Sequence, residues 1–311
     1  MISIIIPVYN ESESLEELFN GIQHIFDTQG WKFEAIFVND GSSDDSLEVL
    51  HRIQKNSQHV EVINFLRNFG QTAALSAGID RSKYDIIVPM DADLQNDPKD
   101  IPGLVQKLQE GFDIVSGWRK HRKDSPLKRN LLSRIANFLI RKFTKVELHD
   151  LGCTLKAYRK EVLLGLNLYG EMHRFIPIYA KWNGALRITE MQVSHHPRKH
   201  GVSKYGVNRV VKVILDLMVV LFLNKYGQKP MYVFGIFGFF NLSLSFVCAL
   251  GSIYYKFISE NYKSFIQTPL PLMSSVFFVV GVVCILLGLL AELSIRTYYE
   301  SQSKKTYKVK D

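Results

Sequence analysis

Two stretches limit what this chain can fold into more than any other feature. Tyr232 to Tyr255 and Leu272 to Ile295 are each about two dozen residues of mainly apolar sequence. At ~1.5 Å rise per residue, a helix of that length crosses a ~30 Å hydrocarbon core. Lys225 and Lys229 precede the first stretch; Arg296, Lys304, Lys305, Lys308 and Lys310 follow the second. The bias of cations toward the cytoplasm places both ends there, with the loop around Phe257 to Pro271 outside, although Lys256 and Lys263 soften the contrast. Glu292 stands four residues before Arg296, a spacing for pairing at the interface. Gly235, Gly238, Gly281 and Gly288 would let the spans pack against a second copy, so a homo-oligomer is a candidate partner.

The preceding residues read differently. Ser3–Val8, Phe33–Val38, Val60–Phe65, Asp85–Met90 and Asp113–Ser116 are short β-rich runs. Between them, helical periodicity spans Leu15–Phe26, Ser46–Gln54, Gln71–Ile79 and Ile101–Glu110, with Ser14 and Glu17 spaced as a capping box for the first. Alternating strand and helix predicts a mainly parallel sheet with helices on both faces, whose ligands bind beyond the C-terminal strand ends. The N-terminal run lacks a basic leader and a cleavage site, so it reads as a strand and not a signal peptide. From Val207 to Leu223 the pattern is helical and largely apolar, with Arg209, Lys212 and Asp216 on one face, which suits a helix lying on a membrane surface. No internal repeat or low-complexity segment occurs.

Among 311 residues the formal net charge is +8, which calls for an anionic partner. The cations concentrate in residues 118 to 145 and in His195–Gly206. Three cysteines, Cys153, Cys248 and Cys284, make neither a disulfide framework nor a CxxC pair, which suits a reducing compartment. The histidines of the second cluster have no acidic residues at zinc-ligand spacing.

The run Ile86-Ile87-Val88-Pro89-Met90-Asp91-Ala92-Asp93-Leu94-Gln95 delivers two carboxylates to a strand tip. If a turn follows Met90, both face one ligand. Close carboxylates repel unless a cation lies beside them, and hard oxygen donors suit Mg²⁺ or Mn²⁺. Alone, the pattern also suits a solvated acidic turn. It does not stand alone: Ile4-Ile5-Ile6-Pro7-Val8-Tyr9-Asn10-Glu11, Val38-Asn39-Asp40-Gly41-Ser42-Ser43-Asp44 and Arg67-Asn68-Phe69-Gly70-Gln71 precede it in that order.

This series resembles the family 2 inverting glycosyltransferases with a GT-A fold, over roughly residues 1 to 230. Asp150-Leu151-Gly152-Cys153-Thr154-Leu155-Lys156-Ala157-Tyr158-Arg159 and Arg198-Lys199-His200-Gly201-Val202-Ser203-Lys204-Tyr205 are similar to the dolichyl-phosphate mannosyltransferase branch. With two spans added, the chain resembles the bacterial polyprenyl-phosphate glucosyltransferases of the GtrB type. Some mannosyltransferase relatives lack the spans.

The resemblance implies an α/β GT-A domain (1–206, ending in a basic acceptor loop), an amphipathic juxtamembrane helix (207–230), a two-helix transmembrane hairpin (231–296) and a basic cytoplasmic tail (297–311). It implies that Pro7, Tyr9, Glu11, Asp40, Gly70, Gln71 and Asp91 hold the nucleotide sugar, and that Asp93 and Gln95 hold Mg²⁺ or Mn²⁺. Arg119, Arg174, Arg198, Ser203 and Lys204 would meet the acceptor phosphate. Asp91, Asp93, Asp150, Arg119 and Arg198 form the expected catalytic set, with Asp150 either a base or a group that orients an arginine or a sugar hydroxyl. Glu171 and His173 would line the acceptor side.

The expected reaction is transfer of a hexose, glucose from UDP-glucose first, to undecaprenyl phosphate at the inner face of a bacterial plasma membrane. A polyprenyl phosphate is already ionised near neutral pH and needs little help from a base. UDP-GlcNAc, GDP-mannose and a UDP-aminoarabinose derivative are alternative donors. A non-catalytic subunit that only binds nucleotide or lipid is the rival of another class. Nucleic acid would explain the charge but neither the carboxylates nor the spans. No Gln-x-x-Arg-Trp stretch of a processive synthase occurs.

Overall fold

The computed structural model describes residues 1–120, 144, 146–166, 168, 170, 172–182, 184–197, 199, 209–227, 229–258 and 264–301. The chain divides into two compact units, Met1–Met218 and Val219–Asp311.

In the first unit the elements run β1 (Ile2–Val8), α1 (Leu15–Gln29), β2 (Phe33–Asn39), α2 (Ser46–Asn56), β3 (Val60–Asn64), α3 (Gln71–Arg81), β4 (Ile86–Pro89), α4 (Ile101–Gln109) and β5 (Ile114–Trp118). Then come β6 (Lys156–Arg159), α5 (Lys160–Leu163), α6 (Ile176–Trp182) and β7 (Ile188–Gln192). The seven strands form one sheet in the order β3-β2-β1-β4-β6-β5-β7. Pairing is parallel except for β6, which runs antiparallel to both β4 and β5.

Both sheet faces are buried, which is why β1 is apolar almost throughout. Ile4, Ile6 and Val8 join Leu15, Leu18, Ile22 and Phe26 of α1 on one face. Ile5 points the other way, against Leu75 and Ile79 of α3. Each fully buried aliphatic side chain contributes roughly 1.5–3 kcal/mol.

The topology gathers loops at one edge. The parallel strands β1, β2, β4, β5 and β7 all end there. Because β6 is reversed, its beginning lies there instead: Lys156 pairs with Ser116, and Ile87 with Tyr158. The Asp150–Leu155 run therefore arrives beside the end of β4.

Two local expectations are corrected. Ser14 makes no capping bond to α1. Its hydroxyl instead donates to the Ala92 carbonyl at 2.6 Å and the Glu11 carbonyl at 2.8 Å, tying the β1–α1 loop to the loop after β4. β4 stops at Pro89, one residue short of the expected Met90.

The helix α7 (Arg209–Tyr226) lies where surface periodicity placed one. In the second unit, α8 (Met231–Phe257) and α9 (Leu270–Ser301) pair as a hairpin, and both are long and apolar enough to cross a membrane. A Cβ on Gly238 would come within 2.9 Å of the Gly281 carbonyl, and one on Gly281 within 2.9 Å of the Gly238 carbonyl. Ser245 Oγ donates to the Ser274 carbonyl at 2.8 Å and Ser274 Oγ to the Ser245 carbonyl at 2.9 Å. Gly238 and Gly281 are thus spent on packing α8 against α9, and a Cβ on Gly288 would meet Met231 and Phe234. Gly235 lies beside Met231 of its own helix. Glu292 and Arg296 lie 3.8 Å apart at the expected i,i+4 spacing.

Candidate active site

After Pro89 the chain leaves the sheet and turns, and Leu94 takes a left-handed φ of 57°. This is the turn needed to bring the carboxylates to one side, and a non-glycine residue held there is strained. Asp93 Oδ1 accepts the Gln95 amide at 3.1 Å. Asp91 is gripped twice: Gln71 Nε2 donates to Oδ1 at 2.8 Å and Thr154 Oγ1 to Oδ2 at 2.6 Å. Burial pushes the Asp91 carboxyl up to about 6, and the charge of Asp93 adds to the shift. Burial and the neighbouring carboxylate thus disfavour the ionised form of Asp91, while the Thr154 hydroxyl and the charges of Arg119 and Lys156 favour it.

The donor set fits a hard divalent cation in type: the carboxylates Asp91 and Asp93 and the amide carbonyl of Gln95, with Asp91 raised by its neighbour's charge. Residues at the ends of β1, β2 and β3 surround the same edge. Asp40 is buried and clamps the loop before α3: Oδ1 accepts the Phe69 amide at 2.7 Å and Oδ2 the Gly70 amide at 3.0 Å. Gly41 (φ +66°) permits this approach, since a Cβ there would meet the Arg67 backbone at 2.4 Å. The Asn10 and Glu11 amides donate to Ser42 Oγ at 3.0 Å and Ser46 Oγ at 3.1 Å. Pro7 is the penultimate residue of β1, and the exposed Tyr9 follows Val8 at the strand end.

Across the loop, Arg119 and Asp150 form a buried bidentate pair. Nε donates to Oδ2 at 2.7 Å and Nη2 to Oδ1 at 2.9 Å, and the Arg119 amide reaches Oδ2 at 3.3 Å. Despite burial, the pairing with Asp150 holds the guanidinium above its ordinary range. Of the roles expected for Asp150, this geometry is that of a group orienting an arginine.

Three residues join the site that sequence reasoning did not place in it. Thr154 holds Asp91. Thr72, at the start of α3, lies 2.9 Å from His173 Nδ1 and fastens the turn that carries Arg174. Lys156 is buried and donates to the Leu151 carbonyl at 3.2 Å and to the Cys153 carbonyl, holding the Asp150–Thr154 run from within; burial pushes its ammonium below the ordinary range. All lay in or beside quoted motifs, but only the reversal of β6 shows which of them face Asp91. Arg198, Ser203, Lys204 and Glu171 lie outside the described residues.

Residues 3–165 match the family model "Glycosyl transferase family 2". Over 312 aligned residues, 99% of this chain and 92% of the relative, the chain is 40% identical to a dodecaprenyl-phosphate galacturonate synthase of Rhizobium johnstonii. It is 36% identical to an undecaprenyl-phosphate 4-deoxy-4-formamido-L-arabinose transferase of Shewanella sediminis, over 100% of this chain and 92% of that one. Among solved structures, glucosyl-3-phosphoglycerate synthase from Mycobacterium tuberculosis, in complex with Mn²⁺, UDP and phosphoglyceric acid, superposes with a TM-score of 0.56. That match covers 71% of this chain and 78% of the other at 20% identity, and so speaks to the fold alone. The sheet is that of a GT-A glycosyltransferase. The chain belongs to glycosyltransferase family 2.

Proposed function

We propose that this protein transfers a sugar from a UDP-linked donor to a polyprenyl phosphate at the cytoplasmic face of a bacterial plasma membrane. The observation that carries the reading is the Asp91–Asp93 loop. It is an acidic turn held in a strained conformation, gripped by Gln71 and Thr154, and set across from the Arg119–Asp150 pair. Relatives matched over the full chain are named for sugar transfer or synthesis on polyprenyl phosphates. In their names the sugars are galacturonate and 4-deoxy-4-formamido-L-arabinose, so these precede glucose as candidate donors' sugars.

In this reading residues 1–206 are the catalytic domain, 207–230 a helix at the membrane surface, 231–296 a transmembrane hairpin and 297–311 a cytoplasmic tail. Asp93 and Gln95, beside Asp91, would hold Mg²⁺ or Mn²⁺, which when bound offsets charge on the departing diphosphate. Pro7, Tyr9, Glu11 and Asp40 line the nucleotide side, Asp40 by fixing the Phe69–Gly70 loop.

The acceptor phosphate is its own nucleophile. One of its oxygens bonds to the anomeric carbon as the bond from that carbon to the diphosphate breaks, and the nucleoside diphosphate leaves with the electron pair on the opposite face. Asp150 keeps Arg119 aimed, so that a second anion is tolerated beside the first. Arg174, Arg198, Ser203 and Lys204 are assigned to the acceptor side.

The test is radiolabel transfer to undecaprenyl phosphate from UDP-galacturonate, the UDP-formamidoarabinose derivative, UDP-glucose, UDP-GlcNAc and GDP-mannose, each with Mg²⁺, Mn²⁺ or EDTA. Metal-dependent transfer from one donor supports the reading and identifies the sugar. Nucleotide binding without transfer from any donor would favour a non-catalytic subunit.

A further inference from the structure

The end of β5 meets the segment before β6 as two doublets side by side, Trp118-Arg119 and His149-Asp150. Arg119 pairs with Asp150. Their neighbours meet as well: the Trp118 and His149 rings stack, with centroids 4.8 Å apart and planes inclined by 23°. Glu190 of β7 then grips His149 twice. Its Oε2 accepts the His149 amide at 2.8 Å, and its Oε1 accepts from the ring Nδ1. A carboxylate only accepts, so Nδ1 carries the proton in this bond.

The grip rests on regular sheet. β7 lies beside β5, with Glu190 opposite Ser116 and Gln192 opposite Trp118. The Val193 amide donates to the Trp118 carbonyl at 3.1 Å. His149 precedes Asp150 in the chain, whereas Thr154 and Lys156, which fasten the same run to Asp91 and to its own carbonyls, follow it. Asp150 is therefore held from both sides. A bidentate carboxylate–guanidinium pair is demanding of geometry, and a small shift of either partner breaks it. Stability gains little from the outer contact: the His149 side chain is 52% exposed, and ion pairs that open are weak.

The inner pair is nearly buried, its side chains 11% and 9% exposed, yet it has an open edge. Gly152 is exposed beside it, and a Cβ there would lie 3.4 Å from Arg119 Nη2 and 3.6 Å from Asp150 Oδ1. An anion approaching the guanidinium over Gly152 meets no side chain from that residue. Arg119 has N–H donors beyond the two that Asp150 takes.

We propose that Trp118, His149 and Glu190 are positioning residues for the transfer. Glu190 sets His149 against Trp118, and this holds Asp150 where it aims Arg119 at the acceptor phosphate. The inference rests on the acceptor reading of Arg119.

The test compares full-length wild type, Glu190→Ala and Glu190→Gln in detergent micelles. Calorimetry measures the binding of farnesyl phosphate, a short prenyl monophosphate, and of Mn²⁺–UDP. Transfer kinetics are measured with undecaprenyl phosphate. Glu190→Ala is expected to weaken farnesyl phosphate binding and to raise the KM for undecaprenyl phosphate, each about tenfold, below the ~100-fold that a misplacement of about 1 Å costs. Mn²⁺–UDP affinity and the KM for the nucleotide sugar stay within about threefold of wild type. The melting temperature moves by less than about 2 °C, as for other exposed pairs. Glu190→Gln is expected to behave nearly as wild type. Its amide oxygen accepts the His149 amide, and its NH₂ donates to Nδ1 in the other ring tautomer.

Equal farnesyl phosphate binding and equal KM in Glu190→Ala and wild type overturn the positioning role and leave the acceptor reading standing. A joint fall in turnover and melting temperature, with both KM values unchanged, marks a structural role and also overturns the proposal. Wild type that neither binds farnesyl phosphate nor transfers to undecaprenyl phosphate overturns the acceptor reading itself. If Glu190→Ala does not fold, His149→Ala, which removes the stacking and the Nδ1 bond, decides by the same criteria.

Discussion

Asp91 sits at the balance point of the site, because it is held by two side-chain donors and still pushed up to about 6. Below that pH the folded protein holds a proton there. Cation binding must displace it, so Mn²⁺–UDP affinity is expected to fall as pH drops from 7.5 to 5.5. Calorimetry at three pH values checks this, and an unchanged affinity would remove Asp91 from the balance. The sign for stability is opposite. A carboxyl raised above its ordinary value makes the metal-free fold lose stability as pH rises from the ordinary carboxylate range to about 6. Asp91→Asn, whose amide can accept from Gln71 and donate to Thr154, is therefore expected to raise the melting temperature at pH 7.5 while removing transfer activity. Asp93→Ala is expected to lower turnover by about 100-fold or more, the scale of losing one well-placed electrostatic stabiliser, with binding of the acceptor lipid retained.

At the scale of elements, close approach decides more than composition. α3 lies so near β1 that a Cβ on Gly78 would fall 2.3 Å from Ile5 Cγ2, on a β-branched side chain with little freedom to turn away. Gly78→Ala is expected to destabilise the first unit by about 1–3 kcal/mol, the usual range for overpacking, measurable as a lower denaturation midpoint. In the hairpin, the reciprocal Ser245–Ser274 bonds cross between α8 and α9, and in the proposed membrane setting hydrocarbon would offer those hydroxyls no alternative partner. Ser245→Ala leaves the Ser274 hydroxyl bonded to the Ser245 carbonyl, so the expected loss is small, roughly 0.5–1 kcal/mol, read by unfolding in mixed micelles.

For the whole molecule, what matters is which side of a membrane each unit meets. With the cation bias as the guide, a cysteine placed at Gln267 is expected to react with an impermeant thiol reagent from outside intact cells. One placed in the 302–311 tail is expected to react only after the membrane is opened. The reverse pattern would put the Asp91 loop on the wrong side for a cytoplasmic nucleotide sugar. Cys153, Cys248 and Cys284 form no disulfide, so the labelling needs a background in which they are replaced.

Much of this was legible in the chain before folding. The alternation of β-rich and helical runs marked the elements from β1 to β5, because burial of both sheet faces leaves apolar strands between periodic helices, whereas β6, α5, α6 and β7 went unread. The apolar lengths of 232–255 and 272–295 marked the hairpin. The family was legible too, in the order of the motifs around Asp91 and Asp93 and not in the two carboxylates alone. Other things are relations between distant segments, and no local pattern encodes them. The reversal of β6 brings Thr154 to Asp91 and Asp150 to Arg119. Asp40 spends its oxygens on the Phe69–Gly70 loop, and Ser14 bonds the Ala92 carbonyl instead of capping α1. Glu190 grips His149, 41 positions earlier in the chain. Periodicity and composition are properties of neighbours along the chain, and they determined the elements. Which side chains meet depends on strand order and direction, which only the packed sheet decides.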